Sequence, residues 1–274
     1  MDGVVILPSL ESGSVRPVKS SWLLAPLSLA LAATAPAQTL GTQAAPLPRL
    51  TLSAPGYTVQ AEVRKAVVYP ESGPNVGPYF YFSPAQVRAT LNRPGERWKP
   101  GFAADMPPAY VTVTPVQNWL TLFKGPNARV VKERLDLLQK INAGQQDMGQ
   151  FRDWLELPYL PLMNSAQAVS GAVKRMNTGH VQGVRYLAIY SQETSVEYPR
   201  SAVFYTFQGL TRDGKHLVSV RLPYAPASFP VEAGESVLPE QGWLTYRKQA
   251  QRQLDAESGK LARLDALVQS IRVR

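Results

Sequence analysis

Between Gly171 and Leu222 the chain writes four apolar, β-branched segments in succession: Gly171–Met176, Gly183–Tyr190, Ala202–Thr211 and His216–Leu222. Turn-type residues separate them, and a run of strands with short links folds most simply as an antiparallel meander. The last link is Arg212, Asp213, Gly214, Lys215. Asp-Gly tolerates the positive φ angles of a tight hairpin, so this link predicts two strands paired directly across it.

Helical patterns flank the strand block. Pro115 is placed to open a short helix carrying Val116, Trp119, Leu120 and Phe123, and a longer helix is predicted over Asn127 to Asn142. In the latter, Val131, Leu135, Leu138 and Ile141 recur at spacings that give one apolar face, and Gly144 stands where a helix would end. After the strands, Glu240 to Glu257 reads as a charged helix, and Leu261, Leu264, Val268 and Ile271 as one face of a final helix. Upstream, Tyr57 to Tyr69 approximates strand alternation, with Val59, Ala61 and Val63 on one side. Tyr79 to Phe82 reads as a short strand or docked apolar segment, and Tyr110 to Thr114 as another strand. Ser83 is placed to cap a short helix, with Pro84 at its first position and Ala85 to Leu91 behind it. Asn92 to Pro108 is irregular and rich in Pro and Gly. The whole predicts an α+β fold: a mainly antiparallel sheet with a C-terminal meander, covered by helices, in a single domain over residues 57–274.

The N-terminus carries an address. Arg16 and Lys19 precede an apolar run from Trp22 to Ala33, and Ala35, Pro36 and Ala37 follow, which is the order of parts in a signal peptide. The run is about twelve residues, whereas a membrane span needs about 20, and Pro26 interrupts it. Residues 1–37 are therefore expected to be a signal peptide of the general secretory route, recognised at Ala35 and Ala37 and cut after Ala37. Asp2 and Glu11 are foreign to such a leader, which suggests a translation start at Val15 or Val18. Residues 38–56 are small, polar and proline-containing and read as a flexible linker.

Composition narrows the chemistry. The chain has no cysteine, so disulfides, thiolate metal ligands, thiol nucleophiles and the Cys-linked lipid anchor of bacterial lipoproteins fall away together. The net charge of +9, from 29 Lys and Arg against 20 Asp and Glu, is scattered rather than gathered into a tail. It gives a basic surface with no specific nucleic-acid signal.

Gly209 to Lys215 follows the P-loop pattern, but His216 stands where Ser or Thr must hold magnesium, and a strand follows where a helix must begin. The hairpin is the expected reading. With His180 and His216 the only histidines, and no nucleophile motif near either, neither a hydrolytic triad nor a zinc site is predicted. Glu193, Glu197, Asp105 and Asp153 are the acids from which a carboxylate pair for sugar hydrolysis would be drawn. Tyr186, Tyr190, Tyr198, Tyr205 and Tyr224 crowd the meander; Tyr186, Tyr190, Tyr205 and Tyr224 are the candidate stacking surface for a glycan or peptide.

The stretches LPYLPLMNSAQAV (Leu157–Val169), GVRYLAIYSQE (Gly183–Glu193), FYTFQGLTRDGKHLVSVRLP (Phe204–Pro223) and LDALVQSIRV (Leu264–Val273) resemble a family of uncharacterised exported bacterial proteins, many of them lipoproteins. The family occurs in cyanobacteria and in Chloroflexi-like and Deinococcus-like bacteria. FYTFQGLT-x-DGK is the most specific part, and the likeness runs over roughly residues 105–273. The resemblance implies export, to the periplasm or beyond, and brings no catalytic residue. Without the lipoprotein cysteine, no lipid anchor is expected here.

The expected function is thus a noncatalytic cell-envelope protein that binds a ligand or partner, with no cofactor and no metal. The alternative is a hydrolase of an envelope or extracellular polymer, using carboxylates brought together by folding. Mass spectrometry of the exported protein should find Gln38 at its N-terminus, and replacing Ala35 and Ala37 by bulky residues should leave the precursor uncut. A precursor peptide from residues 2–14 would rule out the later start.

Overall fold

The computed structural model describes residues 45–68, 82–99, 106–152, 156–193, 195–234 and 237–274. The leader with Ala35 and Ala37, and the start of the expected linker, lie outside the described residues. So do Val15 and Val18, Tyr79 to Tyr81, Asp105 and Asp153.

Seven strands form one antiparallel sheet. In spatial order they are β2 (Thr58–Arg64), β3 (Gln86–Asn92), β4 (Tyr110–Pro115), β8 (His216–Pro223), β7 (Phe204–Thr211), β6 (Val181–Ser191) and β5 (Ala166–Asn177). The order joins two meanders, β2 to β4 and β5 to β8, through the pairing of β4 with β8. Helices α1 (Val116–Leu122) and α2 (Gly125–Asn142) connect the meanders, and α3 (Glu240–Ala256) and α4 (Ala262–Ser270) follow the second. This is the α+β fold that the pattern predicts, in a single domain. Among the described residues no helix is long and apolar enough to cross a membrane.

Each pair of helices covers one face. From α1, α2 and the link between them, Trp119, Phe123, Val131, Leu135, Leu138 and Ile141 pack against Val184, Tyr186, Ala188, Phe204, Leu210 and Leu217. From α3 and α4, Ala250, Leu254, Leu267 and Val268 pack against the other face, with Leu187, Ile189, Tyr205, Phe207, Val218 and Val220. Strands covered on both faces lose strict alternation, which is why β6 reads as a nearly continuous apolar run. Gly183 and Gly209 face each other across β6 and β7, and a Cβ on Gly183 would fall 2.1 Å from the Gln208 carbonyl oxygen. Only glycine fits there.

Two expectations change. Residues 86–92 are not a helix behind a Ser83 cap; they are β3, paired on both sides and buried throughout. The residues alternate, Val87, Ala89 and Leu91 on one face and Gln86, Arg88 and Thr90 on the other, and neighbouring strands on either side outweigh a weak local capping signal. Ser83 instead exchanges backbone hydrogen bonds with Val67 at 2.8 and 3.0 Å. Part of the expected linker is also structured. Leu50–Thr51 forms β1, paired with β9 (Arg272–Val273), and Leu50 and Leu52 pack on the core. The alternating leucines of this segment find a partner at the far end of the sequence.

A buried ion pair ties α4 to the sheet. Arg185 on β6, 1% exposed, places Nε 3.2 Å from Asp265 Oδ1, and Tyr205 on β7 donates to the same oxygen at 3.0 Å. Lys174 adds a longer contact of 3.4 Å from a half-exposed position. Asp265→Ala would strand the Arg185 charge, so denaturant titration should register a loss of about 3–5 kcal/mol. Lys174→Ala should cost no more than about 1 kcal/mol.

Candidate binding clefts

Two clefts open among the described residues. The larger, about 480 Å³, lies where the end of β3 meets the segment entering β4, beside Tyr57 and Pro223. Its wall is a tight turn. Glu96 N–H donates to the Arg93 carbonyl at 2.9 Å, Pro94 and Gly95 hold the centre, and Gly95 has φ +82°. Proline followed by a positive-φ glycine defines a type II turn.

The turn returns the chain so that Trp98 N–H donates to Asn92 Oδ1 at 2.9 Å. The Trp98 ring then lies 5.2 Å from the Arg88 guanidinium. Arg88 is itself buried and donates from Nη2 and Nε to Glu62 Oε1 at 2.7 and 3.1 Å. Burial lowers its pKa, and the bond to Glu62 opposes that shift. The indole is thus positioned by a cation that is anchored from behind, a favourable arrangement because the ring face is electron-rich. Arg93 and Arg97 stand exposed on the same wall, with Glu96 as the single carboxylate among the described residues. Pro107 and Pro108 form the facing side.

The smaller cleft, about 220 Å³, lies between α2 and residues 156–165, with Tyr190 of β6 at its base. Arg134 Nη2 bonds the Glu156 carboxylate, closing off the one acid there. Beneath it, the Tyr159 and Tyr190 rings sit 5.1 Å apart, the Tyr110 and Tyr159 hydroxyls are 3.1 Å apart, and Gln167 Nε2 donates to the Tyr190 hydroxyl at 2.7 Å. The Arg221 guanidinium stacks 4.1 Å from the Phe204 ring centre. Residues 157–160 are held down on the polar part of the sheet: Leu160 N–H donates to Gln208 Oε1 at 3.2 Å, and Ser219 Oγ donates to the Leu160 carbonyl at 2.9 Å.

The four candidate tyrosines do not make one surface. Tyr186 is wholly buried against α2's side of the sheet and donates to the Pro158 carbonyl at 2.8 Å. Tyr190 shares that face and lines the smaller cleft. Tyr205 pairs with Leu187, one residue out of phase with Tyr186, so alternation sends it to the opposite face and Asp265. Tyr224 donates to Glu257 Oε2 at 2.6 Å, in the short turn of helix that follows α3. Their common cause is hydrogen bonding inside the fold.

The other motifs resolve as local structure. Gly209–Lys215 is the β7–β8 hairpin: Asp213 Oδ1 accepts from Thr211 Oγ1 at 2.7 Å and from Lys215 N–H at 3.1 Å, and Gly214 has φ +70°. These bonds hold the Asp213 carboxyl below its ordinary range. His180 and His216 are half-buried at strand ends, and burial lowers the pKa of His216. Among the described residues no cluster of three metal-ligating side chains occurs. Glu193 and Glu197 line neither cleft.

Trp98 escapes the sequence reading, although Pro94-Gly95 before an aromatic residue was a usable turn signal. Comparison with family models, curated proteins and solved structures finds no match for this chain.

Burial raises the pKa of Tyr110, Tyr186 and Tyr205, and pushes Tyr198 up to about 12. An unfolded tyrosine ionises near pH 10. The stability linked to these phenols is complete below that pH and is lost as pH rises above it, because the unfolded chain then releases protons the folded chain keeps. Phenolate absorbance during alkaline titration should therefore jump cooperatively with unfolding.

Proposed function

We propose that this protein is a noncatalytic binding protein of the bacterial cell envelope, exported by its N-terminal leader, and that the Trp98 cleft takes a segment of an acidic envelope polymer. The observation that carries this reading is the anchored indole flanked by two exposed arginines. An aromatic plate offers a stacking surface to a sugar ring, and guanidinium groups pair bidentately with carboxylate or phosphate. The net charge of +9 favours the approach of a polyanion.

The hydrolase alternative calls for two carboxylates about 5 to 10 Å apart across a substrate. Among the described residues each cleft has one acid, Glu96 in the larger and Glu156 in the smaller, and Glu156 is engaged by Arg134.

Tryptophan fluorescence during titration with polygalacturonate, an acidic polysaccharide, and with neutral dextran tests the proposal. Polygalacturonate should bind with an affinity that falls as salt rises, and dextran should not. Trp98→Ala should weaken binding about tenfold, equivalent to about 1.4 kcal/mol, and Arg93→Ala with Arg97→Ala should flatten the salt dependence. Equal binding of both polymers, or an unchanged affinity in Trp98→Ala, would refute the assignment.

A further inference from the structure

The two edges of the large sheet are built differently. β5 carries register shifts between Gln167 and Val169 and between Gly171 and Lys174, and Ala172 has φ +54°. α3 lies hard against it, so that a Cβ on Gly171 would come 2.6 Å from Leu254 Cβ. Bulges and helical cover are the means by which natural sheets keep an edge from pairing with another molecule.

β2 has neither. Its seven residues pair with β3 in unbroken register from Thr58 opposite Asn92 to Arg64 opposite Gln86. The same register resumes at the bridge between Val67 and Ser83. The strand contains no proline and no glycine. Among the described residues no strand pairs with its outer side. One face of it is apolar and open to solvent, with Val59 40% and Val63 67% exposed and Ala61 exposed between them.

The strand is also complementary to itself. Two antiparallel copies related by a twofold axis through Val63, perpendicular to the sheet, bring Val63 opposite its own copy. Glu62 then lies opposite Arg64 of the second strand, and the axis repeats that pair. Moving the axis to Glu62 or to Arg64 sets like charges face to face. Moving it to Ala61 sets Glu62 against Gln60 and Arg64 against Thr58. Among axes through Val59 to Lys65, the one through Val63 alone opposes unlike charges. Glu62 accepts from Arg88, lies 3.8 Å from Arg64 of its own strand and remains 34% exposed, so pairing across the axis exchanges a long contact within the strand for one between strands.

We infer that β2 is a homotypic docking edge, at which two copies of this chain join by antiparallel strand pairing centred on Val63 and continue the seven-stranded sheet across the axis. Main-chain hydrogen bonds supply the attraction, as in other strand-addition contacts, and the Glu62–Arg64 pairs set the register.

The absence of cysteine makes the test specific. Val63→Cys introduces a single thiol, and at the axis the two Cβ atoms would be roughly 4.5–5.5 Å apart, close to the spacing a disulfide needs. In the same register two Ala61→Cys thiols sit about four residues apart along the strands, or about 13 Å, beyond bridging. Under mild oxidation Val63→Cys should give a disulfide-linked dimer, and Ala61→Cys should stay monomeric. Sedimentation of the full chain should show a dimer that dissociates on dilution. Val63→Lys, a substitution at an exposed position that leaves folding intact by circular dichroism, should weaken association at least tenfold.

A full chain that sediments as a monomer at every concentration, with Val63→Cys linking no faster than Ala61→Cys, would overturn the inference. Faster linking of Ala61→Cys would overturn it by moving the axis. A monomer whose thiol in Val63→Cys resists alkylation would overturn it too, by placing another segment of the same chain over the edge.

Discussion

The placement of the last helix rests on one buried charge. Arg185 lies on an inner strand and cannot reach water, so its guanidinium takes partners from three directions: the Ala172 carbonyl on β5, Ser258 after α3, and Asp265 on α4. A buried ion pair recovers little beyond its own desolvation, yet losing one member is costly. The effect is directional. A helix held by apolar contacts alone can slide or rotate on a sheet, whereas one whose acid must meet a sealed arginine has a single docked position. Tyr205 adds a second donor to Asp265 and closes the network.

The sheet's two faces divide the labour. The face under α3 and α4 is dominated by branched aliphatic residues, including Val111, Val113, Val218 and Val220, which surround the Arg185–Asp265 pair. The other face mixes apolar residues under α1 and α2 with a buried polar row, Arg88, Thr112, Ser219, Gln208 and Thr206. Buried polar groups need partners, and the Leu160 N–H and carbonyl supply two of them. A segment fastened by its own main chain to a polar row leaves gaps along its borders. The smaller cleft is one of these, and the Trp98 cleft opens where β3 and β4 run out.

Most of the architecture was legible because its signals were periodic or chemically specific. The Asp213-Gly214 hairpin, the Val131 to Ile141 helical face and the meander strands all emerged where local preference and tertiary packing agree. β3 did not, because Ser83-Pro84 imitates a helix start and the strand's neighbours are distant in sequence. β1 was hidden for the same reason: Leu50 finds its partner, Val273, at the opposite end of the domain's sequence. The site was less legible than the fold. Counting tyrosines identified residues whose hydroxyls the interior uses in its own hydrogen bonds, and their strand phase already separates Tyr186 from Tyr205. Trp98 depends on a turn, on Asn92 and on Arg88, a combination no spacing rule encodes.

The clasp between β1 and β9 closes residues 49–274 into something close to a ring. Arg49 and Arg274 exchange backbone hydrogen bonds at 2.7 and 3.0 Å, so the two ends of the domain meet at one spot on its surface. Pulling residues 49 and 274 apart would open that short ladder bond by bond before it strained the large sheet.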